Sequence, residues 1–465
     1  MATIVSMHIY GFSLQPRLCS TGGRPAKITR TKPLATHDSS AHNPPRFKEL
    51  QQVLKTKLRE ASAAGSSASK KLLDAFVDSI FTFSHQSLRP TESNFAPVEE
   101  IGQITNILRI EGAIPEDFPE GVYIRNGPNP LFGALHTVNS IFGQTEDIWV
   151  EGEGMLHALY FNKKGEDNTW SISYNNRYVQ SDTFRIERDR QKPCFLSLAK
   201  GDPIAIFAAG ILNKQRFGKA SRNYSNTNVF QHAGRVFSAA ENDNPMRLTW
   251  KISAQFAAGT SVVTGTCRSQ RTPRHNIIMD MPLTMNLSRI LQGAPFLDYD
   301  AESYARIGVM PRYGHADSVV IRGFRVPGSI LMGPTVLEHS VDEEPANQGL
   351  NEEYFSRLYE WRLNMKSMSV IEKYLTGAGI DMEFPVINDK YVGLNHKYAY
   401  AQVVDSQGSL AGGCGIALSR SNKCRAHIID AQRFENGPVA KIILKHRVPY
   451  GFHGAFISRS TYKKR

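Results

Sequence analysis

The sequence predicts an all-β fold behind a basic, partly helical N-terminal segment. Three observations carry that prediction. From about Asn94 onward the chain runs in short alternating apolar and polar stretches cut by Gly, Pro, Asn and Asp, the texture of half-buried strands joined by turns. Long stretches of helical periodicity are few, Leu350–Thr376 being the best of them. A hydrophobic content of 41% with 21% charged residues is that of an ordinary globular chain. Many short strands with regular turns build a sandwich, a barrel or a propeller. Blades of about 40–45 residues would fit a seven-bladed ring into this length, though no internal repeat is visible.

Residues 1–37 contain no acidic side chain and carry Arg17, Arg24, Lys27, Arg30 and Lys32 among Ser and Thr. This is transit-peptide composition, and residues 1–45 are expected to be a plastid transit peptide or a disordered basic tail. An amphipathic helical segment is expected over residues 46–92. Leu50, Val53, Leu54 and Leu58 recur at helical spacing between lysines, and after a Gly/Ser/Ala break so do Leu72, Leu73, Phe76, Val77, Ile80 and Phe81. Such a basic amphipathic helix either lies on a membrane surface or packs its apolar face on the protein itself. Strands or strand–turn units are expected at Ile124–Pro130, Gly154–Phe161, Thr169–Tyr174, Asn228–Ala239, Asn276–Met281 and Ala426–Asp430.

The net charge of +12 is a property of the N-terminus, because residues 1–90 hold 13 Lys/Arg against 5 Asp/Glu. The remainder is nearly balanced, and no nucleic-acid partner is called for. No run of 18 apolar residues occurs to span a membrane. The five cysteines show no CxxC and fit free thiols in a reducing compartment.

One decapeptide near the C-terminus stands out: Arg447–Phe456, RVPYGFHGAF. His453 is the single imidazole of an apolar and aromatic stretch. It reads either as a hydrogen-bonded core residue or as a metal ligand. Gly454 beside it permits close approach by backbone or ligand. His157, His232, His315, His339, His396 and His427 show neither HxxxH nor HxH spacing.

That decapeptide resembles the C-terminal signature of the plant carotenoid cleavage oxygenases. Further blocks resemble the same family in the same order. They are Asn94–Val98 (NFAPV), Gly121–Pro130 (GVYIRNGPNP), Glu151–Tyr160 (EGEGMLHALY), Thr227–Pro245, Asn276–Asn286, Ala305–Tyr313, Glu360–Lys366, Glu383–Tyr400 and His427–Phe456. The resemblance implies a seven-bladed β-propeller with a helical cap over residues 93–465. It also implies an Fe(II) site on the propeller axis, reached by an apolar tunnel. The implied reaction is oxidative cleavage of a carotenoid or apocarotenoid double bond by O2, in the chloroplast. Peripheral membrane contact through the N-terminal helices would suit such an apolar substrate. The resemblance makes His453 the last of four iron-binding imidazoles, and Glu241 and Glu383 carboxylates that hold ligand imidazoles in place. Without it, Glu241 reads as a turn glutamate and Glu383 as a strand-end ion-pair partner.

The sequence also departs from the family. The family's His-Pro-Lys and His-Asp-Phe motifs have no counterpart near residues 251–272. Its His-x-x-Asn stretch is missing where Val320 runs into Ile321, and a segment holding a further Glu is missing near residues 415–425. Three of the four implied ligands are therefore absent, and the propeller is expected to be incomplete, with open sheet edges. The alternative to a working dioxygenase is a catalytically dead relative, acting as a carotenoid-binding protein or having no function as a splice or gene-model product.

Overall fold

A computed structural model describes residues 3–8, 52–57, 59–60, 66–87, 95–148, 150–164, 169–232, 235–240, 246–248, 268–271, 275–280, 283–284, 298–299, 306–311, 318–325, 357–377, 381–387, 398–404, 424–449 and 451–459. The chain divides into two compact units. One comprises Met1–Gly65 and Cys267–Gly408; the other comprises Ser66–Thr266 and Ser409–Arg465.

In chain order, the first elements are β1 (Thr3–His8), the short helix α1 (residues 52–57, resuming at 59–60) and α2 (Ser66–Ile80). There follow β2 (Phe81–His85), β3 (Thr105–Asn106), β4 (Ile110–Gly112), β5 (Gly121–Asn129), β6 (His136–Ser140) and β7 (Gly143–Glu146). The next are β8 (Glu153–Lys164), β9 (Thr169–Tyr178), α3 (Asp182–Arg190), β10 (Lys200–Gly201) and α4 (Pro203–Phe217). Then come β11 (Asn228–His232), β12 (Arg235–Ala239), β13 (Met246–Leu248), β14 (Arg268–Arg271), β15 (His275–Asp280), β16 (Leu283–Thr284) and β17 (Asp298–Tyr299). The series continues with β18 (Arg306–Pro311), β19 (Ser318–Arg325), β20 (Arg357–Asn364), β21 (Ser369–Tyr374), β22 (Asp381–Val386) and β23 (Tyr400–Val404). It ends with β24 (Arg425–Ile429), β25 (Pro438–Ile443) and β26 (Gly454–Ser458). The described residues are mostly strand with few helices, as an all-β fold requires.

In the first unit the best-packed sheet runs β1-β19-β20-β21. Smaller sheets are β14-β15-β18, β16-β17 and β22-β23. The helix expected over Leu350–Thr376 is not formed where the residues are described: 357–374 is an antiparallel hairpin, β20 to β21. Two local features decide this. Tyr359 and Trp361, two residues apart on one face of β20, are both buried, and their rings pack at 4.8 Å. Asn364 then accepts the Lys366 and Ser367 amides through its side chain at 2.9 and 3.0 Å, starting the turn. Met368 completes the turn with a φ of 56°. The junction at Val320–Ile321, where the resemblance implies a missing segment, lies inside β19, with Val319, Val320 and Ile321 buried and paired to Leu363, Arg362 and Trp361. The apolar run VVI across the junction is itself a strand sequence, so the ladder passes through it. The junctions near 251–272 and 415–425 lie mainly outside the described residues.

The second unit holds sheets β10-β7-β6-β2, β11-β12-β13, β24-β25-β4 and β26-β5-β8-β9-β3. Helix α2 begins at Ser66, and Phe81, expected on it, opens β2 instead. The apolar face of α2 packs on the protein: Leu73 and Val77 are buried, and the helix lies against α4. Asp74 pairs with Arg190 at 2.9 Å and with Arg216 at 2.7 Å, and Asp78 with Lys192 at 2.8 Å. Helices α3 and α4 went unread in the sequence despite ordinary end signals. The Ser181 hydroxyl caps the Phe184 amide of α3 at 3.0 Å. Pro203 opens α4, and Gly218 closes it at a φ of 77°.

Segments far apart in sequence meet on β5. On one side β5 pairs with β8, and on the other with the C-terminal strand β26, Ala455 lying opposite Ile124 and Phe456 opposite Tyr123. Strand β25 likewise pairs with β4 near the N-terminus. Asn129 exchanges hydrogen bonds with both backbone groups of Val98, at 2.8 and 3.0 Å. Arg447 donates to the carbonyls of Ala96 and Pro97. The NFAPV, RNGPNP and RVPYGFHGAF blocks are thus one interlocked structure. The closeness is what demands glycine: a Cβ on Gly451 would lie 2.5 Å from the Asn126 oxygen, and one on Gly454 would lie 2.6 Å from the Tyr123 hydroxyl and 2.9 Å from the Ile124 oxygen. Gly451→Ala and Gly454→Ala are each expected to lower stability by about 1–3 kcal/mol, the usual cost of overpacking. Gly377→Ala, where a Cβ meets nothing within 4 Å, should stay within about 0.5 kcal/mol of the parent. Denaturant unfolding of the three variants checks this.

Candidate functional site

His453 sits immediately before β26, at a local irregularity. The Asn126 amide donates to the His453 carbonyl at 2.9 Å, while the Asn126 carbonyl accepts from Phe452 at 3.0 Å. Two residues therefore face one, the count that defines a β-bulge, a device that re-aims a side chain. The His453 amide, turned away from β5, donates to the Thr227 carbonyl at 3.1 Å. Asn126 fixes the same corner from within. Fully buried, it donates to the Ser225 carbonyl at 2.8 Å and accepts from the Gly127 amide at 3.0 Å. The His453 backbone is thus held by β5 and by the residue that precedes β11, and the residue as a whole is half-buried.

Of the other two expected site residues, only Glu383 is among the described residues. Glu383 lies on β22 opposite Gln402, beside an irregularity in the β22–β23 register, in the first unit. Glu241 lies outside the described residues, as do His315, His339 and His396. Among the described residues no group of three or more His, Cys, Asp or Glu side chains is placed to hold a metal ion. Fe(II) in an all-imidazole site needs several such donors at about 2 Å. Among the described residues no such donor set is gathered.

The remaining described histidines have other partners or settings. His157 on β8 is buried, with Nδ1 2.7 Å from the Tyr174 hydroxyl. Burial, with Arg125 and Arg447 adding to it, depresses its pKa to about 3. It is a neutral, hydrogen-bonded core residue. His427 on β24 is exposed, and partial desolvation with the charges of Lys441 and Arg425 lowers its pKa from the usual value.

Sequence reasoning missed a second constellation, built on the Glu151–Tyr160 block. Asp147, Glu153 and Arg222 line a small pocket with Pro130, Leu131, Phe132 and His136, and Tyr224, under the Arg222 guanidinium, brings Glu151 to the same cluster. The pocket's empty space is about 220 Å³ and its interior has room for roughly one water molecule. Arg222 binds Asp147 at 2.5 Å. The Tyr224 hydroxyl donates to Glu151 at 2.8 Å, and the Leu131 amide donates to Glu153 at 2.8 Å. Burial and the nearby Glu187 charge push the Glu153 carboxyl up to about 7; burial and Asp147 do the same to Glu151. The available signal was the spacing EGEG, two acids leading into an apolar strand that had to carry at least one of them inward.

This cluster gives a pH prediction. Because the folded pKa of Glu153 is raised above its unfolded value, its ionised form opposes folding, and that penalty develops as pH rises from about 4.5 to about 7. Glu153→Gln keeps an acceptor for the Leu131 amide and cannot ionise. The variant should be more stable than the parent above pH 7, with the advantage vanishing below about pH 4.5. Urea unfolding of both proteins at pH 4.5 and pH 8 measures it; a constant difference would contradict the assignment.

Comparison with known proteins follows the same blocks. The family model of RPE65, retinal pigment epithelial membrane protein, matches residues 95–251, 271–416 and 414–458. The match is interrupted after 251 and breaks again at 414–416. A carotenoid 9,10(9',10')-cleavage dioxygenase of Arabidopsis thaliana is 22% identical over 533 residues, covering 85% of this chain and 95% of that protein. Its counterpart from Crocus sativus is 23% identical, covering 86% and 96%. A chloroplastic 9-cis-epoxycarotenoid dioxygenase of Oryza sativa is 23% identical, covering 79% and 75%. Among solved structures, a variant of Synechocystis apocarotenoid oxygenase matches with a TM-score of 0.58 at 16% identity, covering 80% of this chain and 100% of that one. The cobalt-substituted form of that oxygenase matches at 0.55 and 15%, covering 79% and 98%. These structures establish a shared fold. With the family model matching most of its length and the motif blocks falling inside the match, the chain belongs to the RPE65/carotenoid cleavage oxygenase family.

Proposed function

We propose that this chain is a carotenoid cleavage oxygenase by descent whose own polypeptide does not complete the iron site, so that it does not turn over carotenoids. The observation that carries the reading is the donor set. Of the four histidines the family places on Fe(II), His453 alone has a counterpart here. Two further facts support it. The family match breaks near residues 251–271 and 414–416, where two of the missing segments belong. The alignment to the Arabidopsis relative spans 533 residues, more than the 465 of this chain, so that relative carries internal residues with no counterpart here. The fold proposed is the family's seven-bladed propeller with segments removed. The compartment proposed is the plastid, on the composition of residues 1–37 and the chloroplastic relatives. Membrane contact through α2 is not part of the proposal, because α4 covers its apolar face.

One observation favours a second reading, a working dioxygenase that takes a carotenoid or apocarotenoid. The C-terminal signature is intact and locked to β5 around His453. Metal analysis of the purified chain after reconstitution with Fe(II), with absorbance of an added carotenoid followed in air, separates the two. Substoichiometric iron and unchanged absorbance are expected. One iron per chain together with bleaching to aldehyde or ketone products would overturn the proposal and establish the dioxygenase.

A further inference from the structure

A different pair of imidazoles lies in the four-stranded sheet of the second unit. Strand β2 is its edge, and its last residue, His85, stands opposite His136 on β6. The Gln86 amide donates to the Leu135 carbonyl at 2.8 Å, so the two histidines form a pair without mutual backbone hydrogen bonds. This is the closer of the two antiparallel pair types, with both side chains on one face. Their ring centroids are 5.1 Å apart at 75°. Two imidazoles bound to one tetrahedral metal through bonds of about 2 Å have centroids about 5 Å apart.

The inner ring has a nitrogen to spare. His136 is 5% exposed, and its Nε2 is buried with no hydrogen-bond partner. Buried polar atoms without partners are rare and ask for an occupant. Its Nδ1 lies 3.9 Å from Oδ2 of Asp147. That oxygen accepts the His136 amide at 3.0 Å, and the charge of the carboxylate favours the proton on Nδ1, leaving the Nε2 lone pair available. Arg222, the nearby cation, is already bound to the other oxygen of Asp147. His85 is exposed, which gives a metal access and leaves water to complete its coordination.

We infer that His85 and His136 form a two-histidine site for a transition-metal ion of the imidazole-preferring class, such as Zn(II), clipping edge strand β2 to β6. With two protein donors the site is exchangeable, unlike a closed structural zinc centre. It is independent of His453 and of the proposed oxygenase ancestry. Calorimetric titration of the full chain with Zn(II) at neutral pH, with a parallel thermal melt, tests it. One site and a zinc-dependent rise in melting temperature are expected. His85→Ala, at an exposed position, should weaken binding at least about tenfold and remove the rise; the bulkier His85→Gln should do the same. His453→Ala should leave both intact. Absence of zinc binding in the parent, or unchanged binding in the His85 variants, would overturn the site.

Discussion

The second unit depends on β5 being held between β8 on one side and the sequence-distant C-terminal strand β26 on the other. Strand pairing alone would let β26 slip along β5, since a ladder fixes register only as well as its side chains do. Here the register is set by Asn126. Its backbone faces the two residues Phe452 and His453, and its side chain binds the Ser225 carbonyl. Asn129 and Arg447 then tie residues 96–98 to the same corner. An apolar residue at position 126 would leave the buried Ser225 carbonyl without this donor and free the register together. Asparagine, with a donor and an acceptor on a short stem, satisfies both.

Much of this was legible in the sequence, and the limits have physical causes. The alternating runs became strands: Ile124–Pro130 in β5, Gly154–Phe161 in β8, Thr169–Tyr174 in β9, and Asn228–Ala239 as the hairpin β11–β12. Their periodicity reflects burial on one face, which a sequence records directly. The helix expected over Leu350–Thr376 is a hairpin over 357–374 because Tyr359 and Trp361 share one strand face and Asn364 supplies the turn. Helix α4 escaped notice for a different reason. Ala205, Ile206, Ala208, Ala209 and Leu212 are all buried, so most of its circumference is apolar and no polar stripe marks a period.

The candidate site was legible only as far as a motif could be matched. His453 was identified by resemblance, and the fold then places it at a bulge that no spacing rule announces. The Asp147–Glu151–Glu153–Arg222 cluster was not identified, although its residues lie in or beside the quoted blocks. Burial of charge is a property of three-dimensional surroundings: Glu153 reads like any surface glutamate until β8 carries it inward and the Leu131 amide closes on it. Its raised pKa marks a group that folding would rather keep protonated near neutrality.

These placements bear on what an intact signature means. Every described contact of the His453 backbone is with scaffold: the Asn126 amide and the Thr227 carbonyl. The glycines on either side of Phe452–His453 are required by backbone and side-chain approach from β5, whatever the imidazole binds. The glycines of the RVPYGFHGAF sequence therefore have a folding reason that does not depend on any metal. The same logic applies at Val320–Ile321, where β19 runs unbroken across the junction and its paired residues stay buried. Backbone hydrogen bonds and close packing hold strand and corner in place.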